Sequence, residues 1–135
     1  MDLLLDTCTF LWWVAGGAEI PAATVARLRD PANRAFLSAA SAWEIAIKFS
    51  LGRLPLSEPP GTMIPRAREL HRIDALPIDE ADALHLVKLP PLHRDPFDRM
   101  LVAQAICKNL TLVTPDPAVR AYPCRVEWWS DEPGT

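Results

Sequence analysis

Short apolar runs alternate along this chain with longer stretches of helical character, and prolines or glycines stand at most of the joins. Residues 1–6 carry Leu3, Leu4 and Leu5 in succession and close on Asp6, the pattern of a strand buried on both faces. A helix is predicted over 7–15, stopped by Gly16-Gly17, and a second runs from Pro21 to the neighbourhood of Asp30-Pro31. Residues 35–38 read as a strand, followed by a long helix over 41–51 with Ser41 as its N-cap and Gly52 as its stop. Three prolines and a glycine make 53–61 a loop. Helices at about 62–72 and 79–87 flank a short strand at 76–78, and 90–95 is a further loop. A helix over 96–108 leads into residues 110–114, the cleanest strand pattern in the chain. A half-turn at 116–121 and an edge strand at 125–128 precede a tail at 130–135 that is expected to be mobile.

Strands alternating with helices imply a parallel sheet with right-handed crossovers and helices on both faces. No repeat or shift in composition marks a second domain, so residues 1–129 are read as one α/β domain. Half of the 135 residues are apolar, enough for a core without disulfide staples. The cysteines, Cys8, Cys107 and Cys124, are odd in number and form no C-x-x-C pair, which disfavours a disulfide framework and a thiolate zinc site. No apolar run approaches the roughly 18 residues that span a bilayer. Asp2 and Asp6 stand where a secretory leader would be basic and then apolar, so a cytoplasmic protein without a membrane partner is expected. A net charge of −3 argues against coating nucleic acid through bulk charge, while leaving room for a local basic rim.

Open parallel sheets bind ligands outside the carboxyl ends of their strands. Asp6 ends the first strand, Glu44 falls in the first turn of the helix after the second, Asp98 opens the helix entered from the 90–95 loop, and Asp116 follows the 110–114 strand. Four acids scattered through the sequence thus map to one edge of the sheet. Carboxylates brought together repel and partly protonate unless a cation neutralises them, and oxygen-only donors suit Mg²⁺ or Mn²⁺ better than zinc. Each acid also has an ordinary reading. Asp95, before Pro96, is an N-cap; Asp98 favours the positive end of its helix; Asp116 precedes Pro117 as another cap would; Glu44 stands four residues before Lys48, the order of a helix ion pair. Asp6 could cap the helix that follows it, but pays desolvation either way. His71, His85 and His93 show no ligand spacing, and neither a G-x-S-x-G elbow nor a phosphate-binding glycine loop occurs.

Four segments together carry a resemblance: Leu3-Leu4-Leu5-Asp6-Thr7 leading to Leu11-Trp12-Trp13; Ser41-Ala42-Trp43-Glu44-Ile45-Ala46-Ile47-Lys48; His93-Arg94-Asp95-Pro96-Phe97-Asp98-Arg99; and Leu112-Val113-Thr114-Pro115-Asp116. The chain resembles PIN-domain proteins, specifically VapC-type toxins, from residue 1 to about 128. The resemblance implies a three-layer α/β/α fold around a central parallel sheet of four to five strands. It also implies Mg²⁺-dependent (or Mn²⁺-dependent) endoribonuclease activity and a cognate VapB-type antitoxin. By motif, Asp6, Glu44, Asp98 and Asp116 match the family's acidic quartet, with Asp6 and Asp98 as metal ligands, and Thr114 matches a small hydroxyl residue beside the last acid. Cys8 stands where His or Asn is more usual, and Pro115 precedes Asp116 where a non-proline is more usual. The implied reaction is attack of a metal-activated water on a backbone phosphorus, leaving a 5′ phosphate.

Lys48, Arg94 and Arg99 are the cations near these motifs that are candidates to hold phosphate, and Arg68 with Arg72 would add a basic track on one helix face. So few contacts suit a tRNA or ribosomal RNA loop better than a rigid duplex. A homodimer is expected, because the outward-facing member of each pair, Trp12-Trp13 and Trp128-Trp129, needs cover. Two other functions fit an acidic α/β domain: a catalytically inactive PIN-like binding module, and a phosphatase-type hydrolase. The latter requires D-x-D after the first strand, where this chain has Asp6-Thr7-Cys8.

Overall fold

Leu3, Leu4 and Leu5 are all fully buried, because the strand they form, β1 (Asp2–Leu5), is the middle of a sheet covered on both faces. The computed structural model describes residues 1–130; residues 131–135, most of the expected tail, lie outside the described residues. The sheet has five parallel strands in the order β3-β2-β1-β4-β5, with β2 (Arg34–Ser38), β3 (Ile73–Leu76), β4 (Thr111–Val113) and β5 (Val126–Glu127). Leu4 pairs in register with Phe36 on one side and Leu112 on the other.

Side chains alternate across a strand, so Leu3 and Leu5 enter one core layer and Leu4 the other. The first layer joins them to Phe10 and Trp13 of α1 (Thr7–Val14), Val25 and Leu28 of α2 (Ala22–Arg29), Ile45 of α3 (Ala39–Ser50) and Ile64 of α4 (Pro60–His71). The second joins Leu4 to Leu101, Val102 and Ala105 of α6 (Pro96–Cys107), with α5 (Glu80–His85) packed alongside. The result is the expected three-layer α/β/α arrangement.

Two elements are displaced from where the sequence reading set them. The helix expected to begin at Ser41 begins at Ala39, because Ser38 is its N-cap and its hydroxyl oxygen accepts from the Ala40 N–H at 3.0 Å. Ser41 is instead a buried residue inside the helix, and Glu44 moves from the first turn to the second. The strand expected at 76–78 lies at Ile73–Leu76, paired from Ala35↔Ile73 to Ser38↔Leu76. Pro77, without an N–H, ends that ladder. Asp74 hid the strand from pattern reading; on this edge it faces out and meets Arg34 of the neighbouring strand at 3.0 Å.

No member of either tryptophan pair is fully exposed, Trp13 being buried and Trp12, Trp128 and Trp129 partly so, which weakens the stated basis for a homodimer. Trp12 meets Trp128 edge-on with ring centroids 6.2 Å apart, Trp13 is buried against His71, and Arg27 lies over Trp129. The exposed tryptophan is Trp43, which shares one face of α3 with the exposed Ile47, and the C-cap Leu51 is exposed as well. No helix among the described residues is long and apolar enough to cross a membrane.

Candidate active site

Asp6 sits where β1 gives way to α1, takes the capping role weighed from the sequence, and lines the acidic cleft. As N-cap of α1 its Oδ1 accepts the Thr9 N–H at 2.7 Å, while Oδ2 accepts the hydroxyl of Thr114. Thr114 follows β4 directly, and its Oγ1 also accepts the Asp116 N–H at 3.1 Å. One hydroxyl therefore ties the acid after β1 to the acid after β4, and Pro115 sits between without preventing it. Thr9 adds a second tie, donating its hydroxyl to the Val113 carbonyl at 3.1 Å.

Glu44 is nearly buried although its helix is largely apolar. Both of its oxygens are partnered: the Thr7 hydroxyl donates to Oε1 at 2.6 Å, and Lys48 donates to Oε2 at 2.7 Å. Thr7 also lies 3.0 Å from the Ser41 hydroxyl, so the displaced serine helps hold the acid. Asp98 occupies the first turn of α6, as expected, with Asp95 as N-cap accepting the Phe97 N–H at 2.8 Å. Asp6, Glu44, Asp98 and Asp116 line one cleft of about 270 Å³ together with Lys48 and Cys8. A larger cleft of about 810 Å³ opens at the other end of the sheet, against the starts of β2 and β3, and holds none of the four acids.

Electrostatics mark the acidic cleft as short of positive charge. Burial pushes the Asp6 carboxyl up, against the Thr114 and Thr9 hydrogen bonds that lower it, and Asp116 adds repulsion. Burial likewise pushes Asp98 up to about 6, with Asp95, Glu44 and Asp6 raising it further and His93 opposing. The Cys8 thiol is raised by burial and by Asp6 and Glu44, so the helix start does not activate it. Lys48 is raised, chiefly by its hydrogen bond to Glu44. A pocket of hard oxygen donors whose charge is only partly balanced by protein cations fits a divalent ion of the Mg²⁺ or Mn²⁺ type.

Arg99 and Arg72 are placed differently from expectation. Arg99, expected near phosphate, points its guanidinium at backbone carbonyls: Nη2 donates to Leu86 and Nη1 to Pro90, each at 3.2 Å. Arg72 ends α4 and lines the larger cleft, where α4 passes into the start of β3. Arg72 therefore lies toward the end of the sheet opposite the acids, and its left-handed backbone takes it off the helix face it was expected to share with Arg68. His93 was the residue missed. It was set aside for want of ligand spacing, yet its Nε2 lies 3.2 Å from Asp98 and 3.7 Å from Asp116. A loop position carries no periodicity to betray it; the available signals were its place five residues before Asp98 and at the head of the segment His93 to Arg99 that carries the resemblance.

A family profile for the PIN domain matches residues 3–123. The chain belongs to the PIN-domain family. Within that family it is 42% identical over 62 residues to Ribonuclease VapC16 of Mycobacterium tuberculosis, a stretch covering 46% of this chain and 44% of that relative. The chain's match thus spans under half the length of that curated relative. Among solved PIN-like structures, VapBC2 of Rickettsia felis, bound to a DNA fragment from its promoter, superposes with a TM-score of 0.71 at 16% identity, covering 94% of this chain and 98% of the other. DNA-bound VapBC of Salmonella typhimurium gives a TM-score of 0.68 at 18% identity, covering 96% and 99%. At such identities these likenesses establish the fold.

Proposed function

We propose that the chain is a metal-dependent endoribonuclease, the toxin of a toxin–antitoxin pair, with residues 1–129 as its nuclease domain. The observation that carries this is the convergence of Asp6, Glu44, Asp98 and Asp116, from four separate segments, on one cleft. The family membership and the stretch shared with a ribonuclease support it.

In this reading Asp6 and Asp98 hold the ion, Mg²⁺ or Mn²⁺, and Glu44 and Asp116 orient water and substrate around it. When bound, the ion neutralises phosphate charge and acidifies water. Thr114 fixes the Asp6 carboxylate and the Asp116 backbone together, which keeps two acids in a set relation. Lys48 remains half exposed while paired with Glu44, so its ammonium stands ready for a phosphate oxygen at the cleft. Arg99 acts as a loop anchor in place of the phosphate contact first expected. The substrate is RNA with a bendable backbone, a tRNA or ribosomal RNA loop, because the cleft is small and offers few cations.

A small VapB-type antitoxin is the proposed partner, reaching the acidic cleft with an Arg or Lys, and the protein acts in the cytoplasm. Several structural neighbours are VapBC complexes, which supports that choice. A homodimer is proposed on new ground, the exposed surface of Trp43 and Ile47 on α3 and of its C-cap Leu51. Sedimentation at about 15 kDa at micromolar concentration would count against it. The test of function is to incubate purified protein with total RNA and map new 5′ ends. Discrete cuts with Mg²⁺, lost in EDTA, are the expected result. Metal-independent cleavage, or RNA bound but never cut in Mg²⁺ or Mn²⁺, overturns the assignment; the second outcome indicates the inactive binding module.

A further inference from the structure

His93 stands outside the acidic quartet but touches two of its members, and four contacts fix how it does so. The Asp95 backbone N–H donates to His93 Nδ1 at 3.1 Å. On the other side of the ring, Nε2 lies 3.2 Å from Asp98 Oδ2 and 3.7 Å from Asp116 Oδ2. The His93 backbone N–H donates to the hydroxyl of the buried Tyr122 at 2.8 Å. Arg99, through Pro90 and Leu86, pins the loop just before it.

The three side chains His93, Asp98 and Asp116 bring one ligand atom each within 4.8 Å of one another, which at first sight describes a nitrogen–oxygen–oxygen metal site. The tautomer argues otherwise. A backbone N–H can only donate, so Nδ1 must offer its lone pair, and the one proton of the neutral ring is then on Nε2. A nitrogen that carries a proton has no lone pair for a metal. Nε2 is the ring nitrogen that approaches Asp98 Oδ2, at 3.2 Å, close enough for that proton to be donated to it.

We propose that His93 is a positioning residue that donates from Nε2 to Asp98 Oδ2 and thereby holds the carboxylate with Oδ1 left for the ion. This rests on the metal-dependent reading of the cleft and adds to it a residue that serves a ligand without being one. Ligating carboxylates are commonly held by such hydrogen bonds, and their loss costs roughly 10–100-fold in metal affinity or activity. Tyr122 and Arg99 gain a role by the same logic, since they place the loop from which His93 reaches.

The test uses the full chain and Mn²⁺ as probe, with binding followed by calorimetry. A glutamine carries its amide nitrogen where the imidazole has Nε2, and an asparagine where it has Nδ1. His93→Ala is expected to weaken Mn²⁺ binding by about 10-fold or more, His93→Gln to recover most of the loss, and His93→Asn to recover little. Electron spin-echo spectra of the Mn²⁺-loaded wild type are expected to show no directly bound nitrogen. Unchanged Mn²⁺ affinity in His93→Ala overturns the proposal, as does a His93→Gln variant as weak as His93→Ala. A nitrogen coupling that disappears in His93→Ala also overturns it, by making His93 a ligand. Asp98→Asn separates the two levels. If wild type binds Mn²⁺ and Asp98→Asn does not, while His93→Ala binds normally, the positioning role alone fails. If wild type binds no Mn²⁺, the metal reading fails and takes this inference with it.

Discussion

Asp98→Asn is expected to reduce RNA cleavage on the order of 10³-fold or more while making the metal-free protein more stable. Both effects have one cause, a carboxylate placed where its charge is unwelcome until an ion arrives. The folded-state pKa of Asp98 is about 6 against an ordinary 3.8. Between these values the native protein still holds a proton that the unfolded chain has released. The unfolded state then binds fewer protons, so stability falls as pH rises through the window from about 4 to about 6. About a quarter of the side chain is exposed, which screens part of the effect, so the full cost above pH 6 is roughly 1–3 kcal/mol. Asparagine removes that slope. Melting curves in EDTA from pH 4 to pH 7 measure it directly. With Mn²⁺ present the trend should reverse for wild type, since protons now compete with the ion for Asp98. A variant that keeps its cleavage, or that melts with the same pH slope as wild type, would show that Asp98 is not the burdened ligand.

How much of this was legible in the sequence depended on whether a residue's role was local. Leu3, Leu4 and Leu5 announced a central strand because burial on both faces needs an unbroken apolar run. Asp95 before Pro96 announced a helix start because capping acts over three residues. Ile73–Leu76 was missed because an edge strand with one open face tolerates Asp74, whose partner Arg34 lies 40 positions away. Ser38 lost the capping role to Ser41 in the reading because both are serines near a helix start. What separated them was the tertiary demand of Thr7, which needs Ser41 inside the helix beside Glu44. Asp6, Asp98 and Asp116 were legible as candidates because each follows a strand or opens a helix at one sheet edge, whereas Glu44, in the second turn of α3, stood out as an acid in an apolar helix. His93 and Arg99 were misjudged for the opposite reason. Their roles are set by hydrogen bonds to loop backbone, which no spacing rule encodes.

The largest loss of stability is expected from Gln104→Ala, far from any reacting group. Gln104 is fully buried on α6, and its amide is used completely. Its Nε2 donates to the Pro77 carbonyl at 3.0 Å and to Asp82 Oδ2 at 3.3 Å, while its Oε1 accepts the Ser38 hydroxyl. Those partners are the end of β2 and cap of α3, the turn after β3, and the capping box of α5, in which Asp82 also accepts the Asp79 N–H at 2.9 Å. One side chain therefore satisfies three elements at once. Truncation leaves a cavity together with a Pro77 carbonyl that has lost its donor and a Ser38 hydroxyl proton that has lost its acceptor, and both penalties add. Asp82 suffers further, because its Oδ1 has no hydrogen bond even in the intact protein and Lys108 stays 3.9 Å away. The expected cost is about 3–5 kcal/mol, a large share of what holds a domain of this size together. Gln104→Leu refills the volume but not the hydrogen bonds, so it should recover only the cavity part. Urea unfolding of the three proteins resolves these contributions. The folded fraction of Gln104→Ala should still bind Mn²⁺ with wild-type affinity, because none of the residues it abandons lines the acidic cleft. A loss below about 1 kcal/mol would mean that water or repacking replaces the amide, and that the three elements do not depend on it.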